Sequence, residues 1–212
     1  MDVLHLQDRV NWGLNRAAKV LGHATEAYRP CGPSDPLALT NRYLRLNAAF
    51  SHPDGVSKRA VSYGSAVWRG YFDAAYTQVG DYLSQGHGIW FVAAQQSLAP
   101  VLCVRTNRVI SITRTSTPAT GDPYGSGGAN TANPIISNWP ASVLGIGGGE
   151  KSPARLPGDT TIPVWVVLLP AVHQQIVRLS DIITDEQGVT GTVIAAEQTE
   201  LGWRLNIRQV TT

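Results

Sequence analysis

Charge is what this 212-residue chain has least of: Asp, Glu, Lys and Arg make up 15% of it, against roughly a quarter of an average soluble domain. Few charges leave little surface that demands water, which predicts surface covered in an assembly. The charges also nearly cancel, with 17 Lys and Arg against 15 Asp and Glu and a net charge of +2. That balance excludes a broad basic footprint for nucleic acid or an anionic membrane, so any DNA contact is local. Long apolar runs are missing as well: nothing approaches the ~18 residues that span a bilayer. Asp2, Asp8, Arg9, Arg16 and Lys19 interrupt the stretch from Met1 to Leu21, unlike the apolar middle of a signal peptide. Cysteine is limited to Cys31 and Cys103 without paired spacing, which predicts a reduced, cytosolic environment and leaves open whether the two pair.

Signatures of chemistry are scarce too. His5, His23, His52, His87 and His173 fall in five different segments, none at ligand spacing with Cys, Asp or another His, so no metal or cofactor is expected. No nucleophile elbow or Walker loop occurs, and Gly145-Ile-Gly-Gly-Gly lacks the Lys-Ser/Thr that a phosphate loop needs. Asp73 and Asp81 flank Tyr76 and could form an acid–base pair, but turn formation explains them better, as it does Asp185 and Glu186 beside Gly188. No catalytic residue is assigned. Trp68, Trp90, Trp139, Trp165 and Trp203 could line a sugar platform; their apolar neighbours, as in Ile89-Trp90-Phe91, put core or subunit interface first.

What is present reads as mainly β with an N-terminal helix. Residues 1–55 give a helix and an extended strap, 56–116 a first β-module, 117–161 a Gly/Pro-rich linker or set of long loops, and 162–212 a second β-module. Val3, Leu6, Val10, Leu14, Ala17, Ala18 and Leu21 recur at helical steps until Gly22, with Arg9, Arg16 and Lys19 opposite. Gly13 inside the pattern costs about 1 kcal/mol relative to Ala and would let another element approach closely. Pro30, Pro33, Pro36 and Pro53 punctuate the strap, whose Leu37, Leu44 and Phe50 need burial by the chain's own β-module or by a neighbouring subunit. Short β-branched and aromatic runs from Ala66 to Thr113 and from Ile162 to Val210 suggest two small antiparallel barrels or sandwiches. Ile135 and Trp139 show that the Gly-rich segment also has something to bury. Leu6, Val10, Leu14, Leu21, Leu37, Leu44, Phe50, Ile135 and Trp139 are thus the candidate interface residues.

Two stretches look like copies. Asp81-Tyr-Leu, a glycine turn and Phe91-Val-Ala-Ala-Gln-Gln match Asp181-Ile-Ile, a glycine turn and Val193-Ile-Ala-Ala-Glu-Gln, with the second loop longer by two residues. Leu102-Cys-Val-Arg and Arg204-Leu-Asn-Ile-Arg continue the match.

The stretch from Trp68-Arg-Gly-Tyr-Phe-Asp to Leu102-Cys-Val-Arg-Thr-Asn-Arg resembles uncharacterised structural proteins of tailed phages and prophages. Val10-Asn-Trp-Gly-Leu-Asn-Arg, Tyr28-Arg-Pro and Thr199-Glu-Leu-Gly-Trp-Arg-Leu look like the same group, while residues 117–163 match nothing comparable. Gly80-Asp81-Tyr, a hairpin and a polar-ended strand are also similar to the small barrels of head-completion and head–tail joining proteins. The resemblance implies a non-enzymatic virion subunit assembled in the host cytoplasm: a neck connector or tail-completion protein in an oligomeric ring. Portal, adaptor or tail proteins would be its partners, with room for non-specific contact with packaged DNA and none with a membrane. A carbohydrate- or receptor-binding module of the tail is the alternative.

Overall fold

The computed structural model describes residues 3–52, 65–86, 88–115, 132–145, 164–171 and 176–210. Among the described residues one α-helix, α1 (Val3–Leu21), precedes twelve strands. The first six are β1 (His23–Tyr28), β2 (Arg42–Ser51), β3 (Val67–Tyr71), β4 (Tyr82–Gln85), β5 (Gly88–Ala94) and β6 (Val101–Arg105). The second six are β7 (Arg108–Thr115), β8 (Ala132–Gly145), β9 (Val164–Leu169), β10 (Ile182–Asp185), β11 (Thr190–Thr199) and β12 (Gly202–Gln209). They close into two all-antiparallel six-stranded barrels, ordered β1-β2-β3-β6-β5-β4 and β7-β8-β9-β12-β11-β10. The second order is the first with every label raised by six.

Alternation along the strands fills the first barrel. Ala27, Leu83, Trp90, Val92, Val101 and Cys103 form its buried core, joined by Leu44, Leu46 and Phe50 of β2. Phe50 stacks on Trp90 with ring centroids 4.1 Å apart. The opposite faces of the same strands are buried as well: Tyr28, Tyr82, Phe91, Ala93 and Val104 belong to a cluster that continues into Ile110, Ile112, Trp139, Val193 and Ile207 of the second barrel. Two buried faces explain why Ile89-Trp-Phe-Val-Ala reads as an unbroken apolar run instead of alternating.

The barrels are joined without slack. Only Thr106 and Asn107 separate β6 from β7, and each is tied to one side. Thr106 donates from its backbone to Ile89 O (2.9 Å), while Asn107 Nδ2 donates to Val143 O (2.8 Å) and its Oδ1 accepts from Val143 N (2.7 Å). Across the contact Tyr82 donates its hydroxyl to Pro140 O at 2.8 Å, and its ring meets Trp139 edge-on.

The helix keeps its expected bounds and lies against β2 and β3, burying Asn11 and Ala18. Gln7 Oε1 accepts from Leu98 N (2.8 Å) and fixes its first half. Gly22 ends it where the chain turns under β2: a Cβ there would lie 2.5 Å from both Ala18 O and Ala48 O.

Three domain boundaries expected from the sequence are corrected. The described part of the expected strap, residues 28–52, is no strap, because β1 and β2 pair along their lengths as two walls of the first barrel. Pro30, Pro33 and Pro36 all sit in the connection between them, and Leu44, Leu46, Ala48 and Phe50 alternate as a strand requires. The segment 117–161 contains β8, the longest strand, so it is in part a barrel wall. The first β-module does not extend to 116 either, since β7 pairs with β8 and β10 of the second barrel.

Candidate interaction site

The likeness between the two halves is most exact in hydrogen bonds at one turn. In the first barrel Asp81 accepts from Arg29 Nε (2.9 Å) and Nη2 (2.8 Å) and from Gln78 N (2.8 Å). In the second Asp181 accepts from Arg114 Nε (2.8 Å) and Nη2 (2.9 Å) and from Arg178 N (2.7 Å). Backbone bonds repeat too: Gly80 N to Val92 O and Val92 N to Asp81 O are matched by Ser180 N to Val193 O and Val193 N to Asp181 O, all at 2.9 Å. The second loop is therefore longer by one residue rather than two, and Val193 stands where Val92 does, not Phe91. A bulge after Val92 recurs after Val193, in keeping with that equivalence, and the sequence match slipped by one because it aligned the Ala93-Ala94 pair with Ala195-Ala196.

These carboxylates are fully employed. Both Asp side chains are 2% exposed, and Asp81 accepts in addition from the Tyr43 hydroxyl at 2.6 Å. Burial, then the bond to Asp81, pushes the Tyr43 phenol well above its ordinary range, and the carboxylate raises Arg29 further. With its oxygens held by a guanidinium, a phenol and a backbone amide, Asp81 is placed to fix a turn rather than to move a proton. Asp73 accepts from Ala75 N and Asn15 Nδ2, and Asp185 from Gln187 N, Val189 N and Arg108. His87 lies outside the described residues. Among the described residues no three His, Cys, Asp or Glu side chains gather as a metal-binding group. Cys31 is exposed and Cys103 buried, both free.

Beside the exposed polar side chains of Gln78, Arg178 and Ser180, each turn displays an apolar pair. Tyr76-Thr-Gln-Val-Gly-Asp81 and Ile176-Val-Arg-Leu-Ser-Asp181 place Tyr76 and Val79 on one barrel and Ile176 and Leu179 on the other, all exposed, with Thr77 and Val177 buried between. The carbonyls of Tyr76 and Ile176 both accept from the arginine of their turn, which confirms the equivalence. Sequence reasoning singled out Tyr76 but missed the other three; the signal was the shared pattern of two apolar residues three apart, then Gly or Ser, then Asp.

No family model, curated protein or solved structure matches the chain.

The expected interface residues scatter. Leu44 and Phe50 line the first barrel, and Leu37 and Ile135 pack on the cluster between the barrels. Trp139 is buried there, with Nε1 donating to Pro33 O at 3.0 Å. Val10 and Leu14 are half-buried on the helix side that meets the barrel, so of the nine only Leu6 and Leu21 remain exposed. Trp90, Trp139 and Trp203 are buried and Trp68 and Trp165 half-buried, which leaves no shared tryptophan platform among the described residues. A cleft of about 530 Å³ flanks the junction, lined by Gln85, Arg105, Asn107, Arg108 and Glu186. Its charges are spent: Arg108 binds Asp185 and Gln187, Glu186 accepts from Val109 N, and Arg105 lies over Trp68 and Trp90.

Proposed function

We propose that the chain is a structural subunit of a tailed-phage particle, a neck connector or tail-completion protein that works by docking rigid barrels on neighbouring protein chains. The observation that carries this reading is the duplicated turn, which holds an exposed apolar pair on each barrel over a saturated Arg–Asp bond. Apolar side chains held out on a rigid base suit contact with protein, since a monomer gains nothing by displaying them. The resemblance of residues 68–108 to phage structural proteins supplies the setting, and the buried tryptophans weigh against a sugar-binding module. A ring of such subunits would use head-to-tail contacts closed by rotation.

Mass spectrometry of particles purified from a producing strain tests the role, and native mass measurement of the isolated protein tests the ring. The chain is expected in the particle at a fixed multiple copy number. Its absence from mature particles would overturn the reading. Tyr76→Ser with Val79→Ser and Ile176→Ser with Leu179→Ser are expected to lower incorporation at least tenfold with the thermal midpoint retained.

A further inference from the structure

The outward side of α1 is organised in a way that its packing on the first barrel does not use. His5, Arg9, Trp12, Arg16 and Lys19 follow one another at steps of four, three, four and three residues, and all are exposed. Beside them Leu6, Gly13 and Val20 repeat every seven residues, also exposed. Trp12 is 65% and Val20 78% exposed, and the Arg16 guanidinium lies over the Trp12 ring, 5.6 Å from its centroid. Asp8 is the one acidic residue of the helix and sits at the edge of this face. A Cβ at Gly13 would meet nothing within 4 Å, so no element among the described residues explains a glycine that weakens the helix.

We infer that this face of α1 is the docking surface for an acidic amphipathic helix of a partner protein. Rows at seven-residue intervals are what a second helix lying along the first can follow. The partner's apolar residues would cover Leu6, Gly13 and Val20, with its backbone drawn close at the glycine, and its Asp and Glu side chains would meet Arg9, Arg16 and Lys19. Trp12 and Arg16 are residue types that dominate interface energies. The face is presented rigidly, because Gln7 and Asn15 anchor the other side of the helix to Leu98 and Asp73. DNA suits it less. The stripe from His5 to Lys19 runs about 21 Å, along which a duplex carries roughly a dozen charges. Three cations answer few of them, and a phosphate backbone has no use for the apolar row.

This inference builds on the proposed assembly role and names the partner's chemistry. In producing cells, the full chain carrying photoreactive p-benzoylphenylalanine at position 20 is irradiated and the cross-linked peptide sequenced. The expected product is a helical segment of a different protein with Asp or Glu spaced three or four residues apart beside an apolar row. Arg9→Glu with Arg16→Glu should lower that product at least tenfold at unchanged thermal midpoint, and acid-to-Lys changes in the partner segment should restore it. Cross-linking to nucleic acid, to a second copy of this chain or to a segment without that acidic spacing overturns the inference, as does no product at all or a reversal variant that cross-links normally. Particle composition is scored separately, so a chain absent from particles that still captures an acidic helix fails the assembly role and keeps the docking surface.

Discussion

Asp81 and Asp181 show what one residue can decide. Each is buried, and each closes its turn by joining an arginine, just past the end of β1 in one barrel and within β7 in the other, to the backbone before the fourth strand. Removing the carboxylate leaves a part-buried backbone amide and, at Asp81, a part-buried phenol without their acceptor, although Arg29 is 41% exposed and regains water. Asp81→Ala is therefore expected to cost about 2–3 kcal/mol, more than an ordinary turn residue and less than a wholly buried ion pair. At roughly 2–4 °C per kcal/mol for a chain of this size, the melting midpoint should fall by about 4–12 °C. A fall under 2 °C would show the turn to be held by its backbone bonds alone. Next to these aspartates the same backbone position is Gly80 (φ 96°) in one barrel and Ser180 (φ 70°) in the other. A left-handed conformation strains serine, so Ser180→Gly should stabilise by about 0.5 kcal/mol after the entropy of the freer unfolded chain is subtracted. Gly80→Ser should do the reverse in urea titrations; equal midpoints would deny the strain.

Strands β1 and β2 carry the clearest titrating feature. Glu26 on β1 accepts from the Tyr28 hydroxyl (2.7 Å) and from Arg45 (2.6 Å) and Arg42 (3.0 Å) on β2. The Tyr28 and Arg45 hydrogen bonds, helped by both positive charges, hold its carboxyl down to about 2. Because the folded value lies below the unfolded one, the stabilisation is complete above the unfolded pKa of roughly 4.3 and is lost as pH falls toward 2. Glu26→Gln should thus lower the urea midpoint by a constant amount above about pH 5, and the gap should close between pH 4.3 and 2. A gap unchanged at pH 2 would rule out the carboxylate as its cause. Strands also mark where the sequence was hard to read. The helix was plain from its 3.6-residue period and its glycine stop, whereas β8 hides behind Pro134 and Pro140, which a central strand seldom admits. Register shifts around Ile112 and a positive φ at Asn138 absorb the interruption, and neither leaves a mark on local propensity. The turn residues of the candidate site failed to stand out for a related reason: Val79, Ile176 and Leu179 look like core until the strands place them outside.

At the scale of the molecule, the duplication predicts how the halves depend on each other. The mainly β architecture with two modules was legible from strand spacing and the repeated Asp turn, but the intimacy of the modules was not, because a residue buried against the other barrel looks the same in sequence as one buried inside its own. Register makes the equivalences explicit. Phe91 opposite Val104 in the first barrel corresponds to Thr192 opposite Arg208 in the second. The first pair is buried against the second barrel, while Thr192 is half-buried and Arg208 exposed. The outward face of barrel one is thus an interface, and the matching face of barrel two is built for solvent. A chain ended after Thr106 would uncover Tyr28, Tyr82, Phe91, Ala93 and Val104 together, a patch of the kind that drives association. It is expected to sediment as oligomers and to bind a hydrophobic dye, whereas the whole chain unfolds in one cooperative step. Phe91→Thr with Val104→Arg, which copies the solvent-facing pair of the second barrel, should turn the shortened chain into a dye-negative monomer with its β-sheet circular dichroism kept. In the whole chain the same two changes should be destabilising by several kcal/mol, since they bury a charge and remove a ring from the contact between barrels. A shortened chain that is monomeric without them would mean that the first barrel folds and stays soluble independently of the second.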